Sequence, residues 1–278
     1  MVLRQGNKGD AVKALQRNLN KLGSMLIIDG DFGAGTQTAV ANARVTLQQP
    51  GPAEADDALQ QAVAAAPDPC PPLTAAGMTF IARQEVSSAS EYEKRFRKPC
   101  KPGGASGITI GIGYDLGQIN SRAQLVSDWG DQLPADAIDL LAAVVGKTGT
   151  EETLDSVSPV DVPLSKAMFV FAQRSLPEFL NQTRKIYPQI DDPAMTAAQR
   201  TALVSLVYNR GNDVTGDRRR EMKTIQALLA AGSFDDAVAA EFERMTRLWT
   251  TADVRGVAVR RQAEAALWRS GFASAKLD

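Results

Sequence analysis

A glycine-rich stretch, Ser106-Gly107-Ile108-Thr109-Ile110-Gly111-Ile112-Gly113-Tyr114-Asp115-Leu116-Gly117, limits what this chain can build. Its glycines alternate with β-branched residues. Glycine lacks the Cβ that would block a close neighbour. The pattern therefore predicts a short strand and a tight turn where backbone comes close to something else. A hydroxyl, Thr109, and a carboxylate, Asp115, lie inside it. Upstream, Met78-Thr79-Phe80-Ile81-Ala82-Arg83-Gln84-Glu85 reads as a largely apolar helix carrying one acid near its end. A helix-borne acid, a strand-borne hydroxyl and a turn-borne acid can converge on one site. The plainer reading is a hairpin with a capping Asp and a solvated helix acid. Beyond the turn, apolar spacing predicts helices at about 119–129, 134–146, 164–187, 196–210, 218–231, 234–248 and 256–270. The expected fold is mostly α, with strand confined to one short glycine-rich hairpin lobe.

The composition has one sharp negative: there is no histidine. That removes Ser-His and Cys-His catalysis in their usual forms, and His-ligated zinc with them. Chemistry that runs on carboxylates alone is untouched, so no metal and no cofactor is expected. The net charge is −1, and residues 1–73 and 74–278 are each near balance. Nucleic-acid binding by phosphate neutralisation is therefore not expected. Two cysteines, Cys70 and Cys100, make no disulfide framework, and two free thiols are the default. The first residues have no apolar signal segment, and no run approaches the roughly 18 apolar residues of a membrane span. The expectation is synthesis in the cytoplasm and no membrane partner.

The first 66 residues have their own organisation. Asp10 is expected to cap a helix over 11–22, where Val12, Leu15, Leu19 and Leu22 recur at helical spacing and Gly23 closes it. A Gly/Asp turn follows at 29–33. Thr36 is expected to cap a helix over 37–48 with Val40 and Val45 inward, and a third helix is expected at 55–65. Residues 67–73 are a proline-rich linker. The expected domains are 1–66 and 74–278.

These residues carry two resemblances. The pattern Leu3-Arg4-x-Gly6-x-x-Gly9-Asp10-x-Val12, then Asp29-Gly30-x-Phe32-Gly33-x-x-Thr36, resembles the three-helix peptidoglycan-binding module. Glu85 followed by Thr109-Ile110-Gly111-x-Gly113 resembles phage-type lysozymes of glycoside hydrolase family 24. The usual acid just before the threonine is missing here, since Gly103 stands six residues ahead. An acid instead follows six residues after, at Asp115, an order similar to pesticin and its muramidase relatives. Residues 202–211 resemble the lysozyme helix whose end faces the cleft. Residues 256–268, with Arg260, Arg261 and Glu264, resemble the closing helix. Within that segment, a structural Arg260–Glu264 pair at i,i+4 accounts for both residues.

The resemblance implies a small wall-binding domain before a lysozyme-like α+β domain that cuts peptidoglycan between N-acetylmuramic acid and N-acetylglucosamine. Its catalytic residues would be Glu85 as acid, Asp115 as second carboxylate and Thr109 as water holder. Gly111, Gly113, Tyr114, Tyr208 and Asn209 would contact substrate. A lytic transglycosylase and a non-catalytic wall binder are the alternatives. Peptidoglycan is the expected partner, an immunity protein or inhibitor would fit an antibacterial role, and a monomer is expected. Action in the periplasm or cell wall would require delivery by a holin or a secretion system.

Overall fold

A computed structural model describes residues 1–251 and 254–274. The chain divides into two compact units: Met1–Cys70 with Ala82–Ser175, and Pro71–Ile81 with Leu176–Asp278.

The first unit opens with α1 (Asp10–Lys21), α2 (Ala34–Thr46) and α3 (Asp57–Ala65). They share a core of their own, built on Val12, Leu15, Leu19, Phe32, Val40, Leu59 and Val63. Gly9, not Asp10, occupies the cap of α1, and Asp10 is its first helical residue. Likewise α2 begins three residues earlier than expected, behind Gly33. Thr36 is therefore inside the first turn. Its hydroxyl accepts a bond from the buried Gln16 amide instead of capping. Gln16 also donates to Asp29 Oδ1 at 2.8 Å and accepts from Gly30 N–H at 2.9 Å, so one buried side chain on α1 holds the whole 29–33 turn. Val45, expected inward, is 80 % exposed. It lies five residues past the core residue Val40, which is about 140° around the helix.

The same unit continues with the end of α4 (Ala75–Val86), α5 (Ala89–Arg95), β1 (Thr109–Ile110), β2 (Tyr114–Asp115), α6 (Arg122–Trp129), α7 (Ala135–Ala142), α8 (Glu151–Val157) and α9 (Leu164–Val170). β1 and β2 form the only sheet among the described residues, an antiparallel pair with Thr109 opposite Asp115 and Ile110 opposite Tyr114. Helix α8 was not anticipated, although Thr150 and Thr153 form a reciprocal capping box at its start. The long helix expected over 164–187 is interrupted by a π turn, Phe171–Ser175, before α10 (Leu176–Ile186). Pro177 explains the break, because it has no N–H to donate and its ring would crowd the carbonyl four residues back.

The second unit holds α10, α11 (Ala197–Arg210), α12 (Arg220–Ala230), α13 (Asp236–Arg244) and α14 (Arg255–Ser274), together with the start of α4. Thr74 caps α4 by accepting from Gly77 N–H. A Cβ on Gly77 would lie 2.2 Å from Thr201 Oγ1, so α4 and α11 cross in close contact. Trp268 and Phe242 pack the interior. No helix among the described residues is long and apolar enough to cross a membrane.

Candidate active site

The hairpin is assembled by backbone contact that only glycine permits. Gly107 and Gly117 lie against each other: a Cβ on Gly107 would be 2.3 Å from Gly117 N and 2.5 Å from its Cα. Asp115 ties this crossing together. Its Oδ1 accepts from Gly107 N–H at 2.9 Å and from Gly117 N–H at 2.8 Å. Its Oδ2 makes no hydrogen bond among the described residues. On the far side of β1, Thr109 exchanges both backbone bonds with Cys100, at 2.8 and 2.9 Å. The strand is thus held from two sides.

Directly opposed residues of an antiparallel pair present their side chains on the same face. Thr109 and Asp115 are such a pair. The Thr109 hydroxyl is only partly buried and makes no hydrogen bond among the described residues. A free hydroxyl thus shares a face with the unbonded carboxylate oxygen, and a hydroxyl both donates and accepts. Glu85 lies on the last turn of α4, half-buried. Two further acids nearby are held in ion pairs. Glu93 Oε2 accepts from Arg97 Nη1 at 2.7 Å, and Glu91 pairs with Lys94 at 3.7 Å.

The remaining predicted contacts separate. Gly113, with φ +68, stands exposed at the turn. Gly111 is buried: its Cβ would lie 2.9 Å from the Trp129 ring. The missing side chain therefore makes room for a tryptophan and not for a sugar. Tyr114 is 92 % buried, edge-on to Trp129, and its hydroxyl donates to Asp128 at 2.8 Å. Arg174, on the π turn, pairs with the same Asp128 at 3.3 Å. Tyr114 is thus an anchor of the hairpin, whereas the sequence suggested a substrate contact. Asp128 and Arg174 were missed, and no local pattern marks them.

Tyr208 and Asn209 belong to the second unit. The Tyr208 ring packs at 4.3 Å from that of Phe179 and lies 5.9 Å from the Arg260 guanidinium carbon. Asn209 is exposed, and its Oδ1 accepts from Arg261 at 3.2 Å. It lines a cavity of about 460 Å³ with Arg210, Arg218, Arg219 and Trp249. Burial and neighbouring arginines push the Arg210 guanidinium down to about 10. The expected Arg260–Glu264 pair exists at 3.3 Å, but it is part of a fully interior cluster. Glu264 also accepts from Ser205 at 2.6 Å and Arg261 at 2.9 Å. Burial pushes the Glu264 carboxyl up and the Arg261 guanidinium down to about 10.

Residues 96–264, more than half of the chain, match the phage lysozyme family. The chain belongs to the phage lysozyme family. Residues 8–43 match a peptidoglycan binding domain. No curated protein matches the chain. The phage lysozyme match contains Thr109, Asp115, Asn209 and Glu264, and begins shortly after Glu85. The chain is thus a modular peptidoglycan hydrolase, a lysozyme with a wall-binding module ahead of it. Cys100 is a free thiol, and burial raises it.

Proposed function

We propose that this lysozyme hydrolyses the β-1,4 bond between N-acetylmuramic acid and N-acetylglucosamine with two carboxylates and a held water. Glu85 protonates the leaving glycosidic oxygen. Asp115 Oδ2 takes a proton from the attacking water, and the Thr109 hydroxyl orients that water. Gly113 leaves the turn open beside them. The observation that carries the reading is the register: Thr109 stands opposite Asp115, whose Oδ1 is consumed by two backbone N–H groups while Oδ2 stays unbonded. One oxygen fixes the carboxylate and the other is left for chemistry. A role for Thr109 needs water between the groups. The reading therefore commits to inversion, with carboxyl groups roughly 6.5–9.5 Å apart instead of the roughly 5–5.5 Å of a direct nucleophile.

The biological reading is a cytoplasm-made phage endolysin or antibacterial effector that lyses walls after delivery by a holin or secretion system. As an effector it would be matched by an immunity protein or inhibitor. Mass spectrometry of digested peptidoglycan tests the chemistry. Products ending in reducing N-acetylmuramic acid, first released as the inverted anomer by NMR, support it. A 1,6-anhydro end would mark a lytic transglycosylase and remove the water from the mechanism.

A further inference from the structure

The loop after α1 makes an unusual attachment. A Cβ on Gly23 would lie 2.7 Å from Met168 Cβ on α9, and Gly23 has φ +81. Two residues on, Met25 is 1 % exposed with φ +53, and its carbonyl accepts from Arg83 at 3.5 Å. The wall-binding module is therefore docked directly on the lysozyme residues of the same compact unit. Where the two meet lies a crevice of about 580 Å³, within the roughly 300–1,000 Å³ of small-ligand sites. Gly35, Thr38, Ala39 and Asn42, spaced by three or four, give it a whole face of α2. Val45, 80 % exposed, continues that stripe. The opposite wall comes from α5 and from the start of α9.

We propose that this crevice is a glycan-binding site shared by the two modules, separate from the Thr109–Asp115 hairpin. Its lining is amphipathic in the way a pyranose is. Leu22, Leu26 and Leu164 offer apolar surface to the C–H faces of a sugar. Thr38, Asn42 and Arg97 offer groups to hydroxyls and acetamides. The Asn42 carboxamide and the Ser90 hydroxyl make no hydrogen bond among the described residues. Arg97 is held in place by Asp161, through two bonds of 2.8 Å, and by Glu93. One wall falls within the peptidoglycan-binding match and Arg97, Pro163 and Leu164 fall within the lysozyme match. Peptidoglycan is the polymer common to both, and its glycan suits the lining. The inference rests on peptidoglycan as the polymer handled, not on the bond cut or the stereochemistry.

Filling the crevice tests it. Asn42→Trp and Ser90→Trp place an indole at exposed positions on its two walls, in the full-length protein. Sedimentation with purified sacculi on ice should show the dissociation constant rising about tenfold in each, a difference of about 1.4 kcal/mol, with unchanged thermal unfolding. Hydrolysis of short soluble muropeptides should stay within about twofold of the parent. The indole added by Ser90→Trp should change fluorescence with peptide-free glycan strands and not with the free stem peptide. Unchanged sacculus binding in both folded variants overturns the site. A response to the stem peptide alone overturns the glycan assignment. A parallel loss of soluble-substrate hydrolysis shows that the crevice belongs to the catalytic centre, which also overturns it. A failure of the proposed bond or of inversion would instead show in the products, with sacculus binding still lowered.

Discussion

Two glycine- and aspartate-rich turns in this molecule use the same local device to different ends. In the wall-binding module, Asp29 Oδ1 accepts from Asp31 N–H at 2.9 Å and from the Gln16 amide at 2.8 Å. In the hairpin, Asp115 Oδ1 accepts from Gly107 and Gly117 N–H. Each carboxylate folds a turn with one oxygen and leaves the other unbonded. They differ in company. Asp29 is exposed beside its own turn, whereas Asp115 is half-buried and stands opposite Thr109 in a strand pair. A carboxylate that takes backbone N–H bonds is by itself only a turn device. In the proposed mechanism, a hydroxyl on the same face supplies what chemistry adds.

The comparison is broken most sharply by charge removal. Asp115→Asn keeps a carbonyl oxygen for the Gly107 and Gly117 N–H groups and loses only the basic oxygen. Turnover of peptidoglycan should fall about 10²–10⁴-fold with an unchanged thermal midpoint, whereas Asp29→Asn should leave turnover alone. Equal, small effects of the two would return Asp115 to a capping role. Glu85→Gln should cost a comparable factor by removing the transferable proton. A folded Glu85→Gln variant with near-parental turbidity clearance would take Glu85 out of the mechanism.

Next in size is the backbone crossing. Gly107→Ala places a methyl 2.3 Å from a backbone nitrogen that cannot move away without opening the hairpin. It should destabilise by about 3 kcal/mol in chemical denaturation. Gly30→Ala, in the module's turn, should cost about 1–2 kcal/mol. Its φ of +77 disfavours a side chain, and the added Cβ would be 3.0–3.1 Å from Lys13 Cγ and Gly9 O. If Gly30→Ala proved the costlier, the hairpin would be the more yielding of the two turns.

The smallest effect concerns acid. The Asp31 N–H, helped by the Gln16 amide, holds the Asp29 carboxyl below the ordinary value of 3.8. A depressed folded value means that the carboxylate stabilises the fold above its unfolded pKa. That contribution is lost as pH falls through the lower, folded one. Asp29→Asn should therefore flatten part of the acid-side decline in thermal midpoint below about pH 4. An identical decline in parent and variant would remove Asp29 from the acid response.

The hairpin of the candidate site was legible in the order of residues. Three glycines around Thr109 and Asp115 predict a reversal, and a reversal returns a residue six positions on to the strand it left. The pairing of Thr109 with Asp115 follows from that. The misreadings are of another kind. Asp10 and Thr36 are good capping residues, yet glycines precede both helices and Thr36 serves Gln16. Gly111 and Tyr114 stand in a motif associated with substrate, yet both are spent on Trp129 and Asp128. The structural Arg260–Glu264 pair expected from the i,i+4 spacing is present, and it is buried with Arg261 and Ser205.

Most of the helical elements, the hairpin reversal and the two family patterns are legible in the order of residues alone. Each of these is written in spacing over a few residues: a period, a cap, or a glycine where φ is positive. Packing alone brings Gly107 across Gly117, anchors Tyr114 through Asp128 to Arg174, and seats the wall-binding module on Met168 at Gly23. These are contacts between residues distant along the chain. Local periodicity states which face of an element must be covered, but the residue that covers it is selected by how the elements pack.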